Sequence, residues 1–146
     1  MDRREFATLL PALLACGALV PEAAEGQRSL PLLESGVFKP SPPKPGAQEG
    51  HVSSRYTAGM LKAGNIRLEM HESTQQVGAP PEPVGTHLHS EIWLVREGTL
   101  DLTTNGVTKR MVAGDVGICV AGDKHYVQNA GATPVTYFVV TVGPPE

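Results

Sequence analysis

From about residue 51 strand signals begin, short stretches in which apolar and polar residues alternate with a period of two. No stretch after residue 25 carries the 3.6-residue period of an amphipathic helix. Ile66, Leu68 and Met70 alternate with Arg67, Glu69 and His71, the pattern of a half-buried strand, with the apolar set expected to face the core. Glu91 to Arg96 and Thr99 to Thr104 read the same way. The pair Asn105-Gly106 then marks a tight hairpin into Val107–Val112, because both positions of such a turn tolerate positive φ. Val116 to Val120 and Tyr137 to Val142 complete the set. Sixteen Gly and 13 Pro supply the turns that many short strands need and exclude a helical bundle. The expected fold is all-β, a small antiparallel barrel or sandwich in one domain over residues 51–146.

Residues 1–50 follow different rules. Arg3 and Arg4 precede the apolar run Phe6 to Ala15, and Asp2-Arg3-Arg4-Glu5-Phe6 resembles a bacterial twin-arginine export signal. Residues 1–24 are therefore read as an export signal peptide, against the alternative of a short helix that stays attached. Leu13-Leu14-Ala15-Cys16 resembles a lipobox, which would leave a lipid anchor on Cys16. Cleavage near Ala23-Ala24 would instead release a soluble periplasmic protein, the favoured outcome. Without residues 1–24, Cys119 is the sole cysteine, so no intramolecular disulfide forms; it reads as a small buried core residue. Residues 25–50 are a Pro-rich arm or linker, with Pro31, Pro40, Pro42, Pro43 and Pro45. Leu30, Leu32, Leu33, Val37 and Phe38 make it too apolar to be fully solvated, so part of it should lie along the domain or a neighbouring subunit.

The net charge of −3 argues against a nucleic-acid-binding surface, and no run of 18 apolar residues exists, which excludes a multi-span membrane protein. The chemistry concentrates in His87, His89 and Glu91. At alternate positions on a strand they share a face, and two imidazoles with a carboxylate suit a divalent metal of borderline hardness. His125, 34 residues after Glu91, follows a hairpin able to bring it back across a barrel. Trp93 and Val95 share the parity of Glu91 and read as core. Tyr126 and Gln128 face away from His125, Asn129 reads as a turn residue, and His71 and Glu72 read as plain surface. Arg67 would hold a carboxylate only if its strand turned it inwards, which the apolar residues beside it argue against.

These residues resemble the cupin family. Its second motif, G(X)5PXG(X)2H(X)3N, is met from Gly114 through Gly122 and His125 to Asn129, with Val120 in place of the usual Pro. Glu91 and Gly98 match the E(X)6G half of its first motif, and the resemblance covers roughly residues 60–142. It implies a single-domain jelly-roll barrel, often a homodimer. It also implies metal ligation by His87, Glu91 and His125. The family's remaining His falls at position 85, which is Gly here. Either His89 supplies the fourth ligand, or water does and His89 serves as a catalytic acid/base. The metal expected is manganese or iron, since loading before export suits metals that copper and zinc outcompete; zinc or nickel are alternatives. Two functions follow. One is a periplasmic metalloenzyme acting on a small oxygenated substrate by dioxygenase-, decarboxylase- or isomerase-type chemistry. The other is a non-catalytic module in which the metal anchors a small anion or sugar. A structural barrel without metal is a third reading. Fold alone does not choose among them.

Overall fold

A computed structural model describes residues 30–146, and the segment read as an export signal, Cys16 included, lies outside the described residues. Nine strands follow in chain order: β1 (Lys44–Pro45), β2 (His51–Met60), β3 (Arg67–Gln75), β4 (Ser90–Glu97), β5 (Thr99–Thr104), β6 (Val107–Val112), β7 (Val116–Cys119), β8 (His125–Asn129) and β9 (Val135–Gly143). They form two antiparallel sheets, a six-stranded one in the order β1-β2-β3-β9-β4-β7 and a three-stranded one in the order β6-β5-β8. β3 pairing with β9, and β5 with β8, brings strands distant in the sequence together as an all-β jelly-roll barrel requires. The β5–β6 hairpin turns at Asn105 and Gly106, both at positive φ, as their pairing predicted.

The two sheets close over one apolar core. Trp93, Val95, Cys119, Val135, Tyr137 and Val139 come from the larger sheet, and Leu100, Leu102, Met111 and Val127 from the smaller. Trp93 and Val95 thus sit where their parity with Glu91 placed them. Part of the arm lies along β2: Leu33 N donates to Met60 O, Met60 N to Pro31 O, and Pro45 pairs with Val52. These bonds cover an edge of the large sheet that would otherwise expose unpaired backbone groups.

The face of β3 is the reverse of the expectation. Gln75, Ser73, His71 and Glu69 pair with Val135, Tyr137, Val139 and Thr141, all on the inward-facing positions of β9. Paired residues in an antiparallel ladder point to the same side, so Arg67, Glu69 and His71 face the interior rather than Ile66, Leu68 and Met70. Glu69 and Gln75 are buried accordingly. Period-2 alternation fixes that a strand has two faces; it does not fix which one a barrel with a polar interior wall turns inwards. His71 is a partly buried interior residue, and the surface assignment fails for it.

Gln75 anchors a buried polar network on that wall. It is fully buried; its Nε2 donates to Tyr137 Oη at 2.8 Å and its Oε1 accepts from Asn129 N at 2.8 Å. The Tyr137 hydroxyl in turn donates to Glu82 Oε1 at 2.7 Å. Burial pushes the Glu82 carboxyl above its ordinary value, against the Tyr137 bond, which favours the ionised form. Asn129 does hold a turn, accepting from Gly131 N at 2.8 Å and donating to Thr133 O at 2.9 Å.

Candidate metal centre

The expected ligands come from two places. β4 starts at Ser90, so His87 and His89 sit in the irregular segment leading into it and Glu91 stands at its second residue. Two ties fix that segment: Gly122 N donates to His87 O at 2.9 Å, and Ala121 N donates to Ser90 Oγ at 3.1 Å. His125 opens β8 and exchanges two backbone hydrogen bonds with Gly85, at 2.8 and 3.0 Å.

Donor atoms of His87, Glu91 and His125 lie within 4.8 Å of one another. His125 Nε2 stands 3.3 Å from Glu91 Oε2, and His87 Nε2 stands 3.9 Å from Glu91 Oε1. The other His125 nitrogen, Nδ1, lies 3.2 Å from the Asp123 carbonyl oxygen, a placement that suits the tautomer protonated at Nδ1 and leaves Nε2 for ligation. Nε2, 3.3 Å from the Glu91 carboxylate, is the nitrogen a cation shared with Glu91 would take. Bonds of about 2.1 Å at tetrahedral or octahedral angles hold neighbouring donors roughly 3.0–3.4 Å apart, close to the His125–Glu91 spacing. Two imidazoles and a carboxylate with an outer hydrogen bond orienting one ring thus fit a divalent transition metal. The Cys119 thiol, 3.2 Å from the same Nδ1, backs the ring on the side away from Glu91, and burial raises its pKa.

His89 lies outside this three-donor cluster. Its Nε2 stands 3.1 Å from Glu91 Oε1, its Nδ1 contacts the Glu146 carboxylate, and its ring stacks on His87 at 4.6 Å between centroids. His87, His89 and Glu146 form a second cluster of close donors. Glu146 also accepts from Leu88 N at 3.2 Å. Sequence reasoning missed Glu146, because nothing in its spacing links it to a segment 58 residues earlier.

Gly85 leaves one side of the centre without a side chain. A Cβ built there would fall 2.8 Å from His87 Nε2 and 3.5 Å from His125 Nε2, inside the space both donors face. Gly85→Ala is expected to displace the His87 ring and weaken metal binding by about 10–100-fold, the scale of a disturbed ligand shell, with the fold retained. A competition titration against a chelator, beside a melting curve, checks this.

Two strands along the same sheet from Glu91, Glu69 draws together Arg55 (2.9 Å), Arg67 in direct contact, and His71 (3.6 Å). The His71 ring, then Arg55 and Arg67, hold the Glu69 carboxyl at about 2 against an ordinary 4.5, although burial acts in the other direction. The unfolded chain takes up this proton first. The pairing therefore contributes fully above pH 4.5 and is lost as pH falls through about 2. Its contribution near neutral pH is about 3 kcal/mol. Glu69→Gln is expected to remove roughly 2–3 kcal/mol at pH 7 and much less at pH 2.5, read as the difference between the two proteins in urea unfolding. Glu82, whose pKa is raised, shifts both proteins alike and cancels in that difference.

Comparison with known proteins places this geometry in a family context. Residues 71–141 match the cupin domain family. No curated protein sequence matches the chain. Among solved structures, KdgF from Halomonas sp. superposes with a TM-score of 0.61 at 13% identity, covering 77% of this chain and 96% of that one. A predicted oxalate decarboxylase from Thermotoga maritima gives 0.56 at 19% identity, covering 74% and 98%. A sugar phosphate isomerase of the cupin superfamily from Silicibacter pomeroyi gives 0.55 at 22% identity, covering 74% and 73%. At these identities the likeness establishes the fold, a cupin barrel.

Proposed function

We propose that this cupin barrel holds one divalent transition metal between His87, Glu91 and His125, and that it acts as an exported metalloenzyme on a small oxygenated substrate. The observation that carries the reading is the convergence of His87, Glu91 and His125, whose donor atoms lie within 4.8 Å of one another, with His125 Nε2 3.3 Å from Glu91 Oε2. When bound, such a metal supplies Lewis acidity toward a substrate oxygen, or oxygen chemistry if it is iron. Manganese or iron is the favoured occupant, with zinc or nickel as the alternatives. His89, set between Glu91 and Glu146, is placed to hold or pass a proton at the mouth of the site. Trp93, buried and in a T-shaped contact with the His125 ring, excludes water from behind it. The similarity to a predicted oxalate decarboxylase and a sugar phosphate isomerase supports a small-molecule substrate without choosing one.

A second reading has its own observation. Both His89 nitrogens already face carboxylates, which favours a non-catalytic module whose metal anchors a small ligand. His89→Ala separates the two readings: metal kept with turnover abolished supports the enzyme, and product-free thermal stabilisation by ligand supports the binder.

Electron paramagnetic resonance of chelator-stripped protein titrated with Mn(II) tests the centre itself. Loss of the free-ion signal up to about one equivalent per chain is expected, and a free-ion signal undiminished from the first addition refutes the site. Residues 1–24 as an export signal, a lipid on Cys16 as the alternative to release, and a homodimer belong to the same proposal. Labelling with a palmitate analogue, fractionation and sedimentation decide among them.

A further inference from the structure

Building on that metal-centred reading, we infer that the interior face of β3 is a binding wall for a small carboxylate, with Arg67 as its anchoring residue and the Thr141 hydroxyl beside it. Register places the wall on the same sheet as Glu91, with one strand between them. Glu69 pairs with Thr141 on β9, and Thr141 pairs with Glu91 on β4. One step along, Arg67 pairs with Gly143, where an added Cβ would fall 2.6 Å from His89 Cα. Arg67 and Glu69 therefore stand across a single strand from His89 and Glu91. Two strand spacings amount to about 9.5 Å, and the strand between contributes inwards only a short hydroxyl and a glycine.

Two buried side-chain polar atoms among the described residues lack a hydrogen-bond partner, and both lie on this wall: Arg67 Nε and Thr141 Oγ1. Buried groups of this kind are rare in folded proteins unless something outside the chain completes them. Arg67 Nε–H is a donor only, and the Thr141 hydroxyl can also donate, so the complement is an oxygen acceptor. Thr141 is 8% exposed, and the Arg67 side chain retains 23%, enough to be reached from the open side.

Charge sets the ligand's sign. A cavity of about 370 Å3, lined by Ser41, Lys44, Ser53, Arg55, Glu69 and His71, adjoins the wall. Lys44 and Arg55 stand in that lining against one carboxylate, Glu69, and Arg67 contacts the same carboxylate from the wall, so the cavity carries a surplus of positive charge that attracts an anion. A carboxylate matches a guanidinium in shape and charge, and a second oxygen on the same molecule can point toward the metal donors. The ligand class is a small organic acid with two oxygen functions.

Isothermal titration with malonate, and with malonamide as its uncharged counterpart, tests the wall. The proteins are Mn-loaded wild type, chelator-stripped wild type, and Mn-loaded Arg67→Gln and Thr141→Val. Malonate is expected to bind the Mn-loaded wild type, and malonamide far more weakly. Arg67→Gln should reduce malonate affinity by about tenfold or more with its manganese content unchanged. Thr141→Val should reduce it several-fold without lowering the melting temperature, because the hydroxyl removed has no partner to lose. Absence of malonate binding, equal affinity in wild type and Arg67→Gln, or malonamide binding as tightly as malonate overturns the proposal. Should Arg67→Gln fail to fold, unchanged affinity in Thr141→Val overturns it alone. If the wild type takes up no manganese, the metal reading fails separately. The stripped protein then decides: malonate binding that depends on Arg67 upholds the wall, and none overturns it.

Discussion

Trp93→Ala is expected to lower the unfolding free energy by about 3–5 kcal/mol, the range for truncating a large buried aromatic side chain. Trp93 is 1% exposed at the centre of the core, on a strand paired with β9 on one side and β7 on the other. Its partner across β7 is Gly117, which offers no side chain to fill the space. Leu102 and Met111 already crowd that glycine, at 2.7 and 2.8 Å from a Cβ built on it. The cavity therefore cannot collapse from that side. For a domain whose total stability is on the order of 5–15 kcal/mol, this loss lowers the melting temperature by roughly 10–20 °C. A drop of only a degree or two would show that the indole is not packed as described. Because the indole and the His125 ring have centroids 5.4 Å apart, metal affinity should fall in the same variant.

His125→Ala is expected to remove metal binding by more than the roughly 10–100-fold that losses beyond the ligand shell cost. His125 is the buried member of the donor cluster, with its ring held from behind near the Asp123 carbonyl, so water substitutes for it poorly. The fold should survive, since two backbone bonds to Gly85 hold position 125 whatever its side chain. Asp123→Ala changes only a side chain and leaves the orienting carbonyl in place; it should keep the metal.

Much of the barrel was legible because its determinants are local. The Asn105-Gly106 turn, β5, β6 and the inward parity of Glu91, Trp93 and Val95 each follow from a few neighbouring residues. His87, Glu91 and His125 were legible through motif spacing, and their donors do converge. The inner wall was not. Inward-facing apolar residues are the usual rule for a strand, and β3 inverts it because Glu69 finds Arg55 on β2 and His71 beside it, and Gln75 finds Tyr137 on β9 and Asn129 on β8. Tyr137 with Glu82, and Glu146 with Leu88, lie 55 and 58 residues apart, and periodicity carries no signal for such pairs. The position of His89 beside the three-donor cluster depends on the irregular backbone before β4, which strand parity cannot describe.

The most direct test of the metal centre is the elemental content of the untagged protein, expressed with its own N-terminal segment and purified without added metal, beside His125→Ala. About one manganese or iron per chain in the wild type, and none in the variant, is the predicted result. Equal metal content in both proteins, or none in a folded wild type, would contradict it.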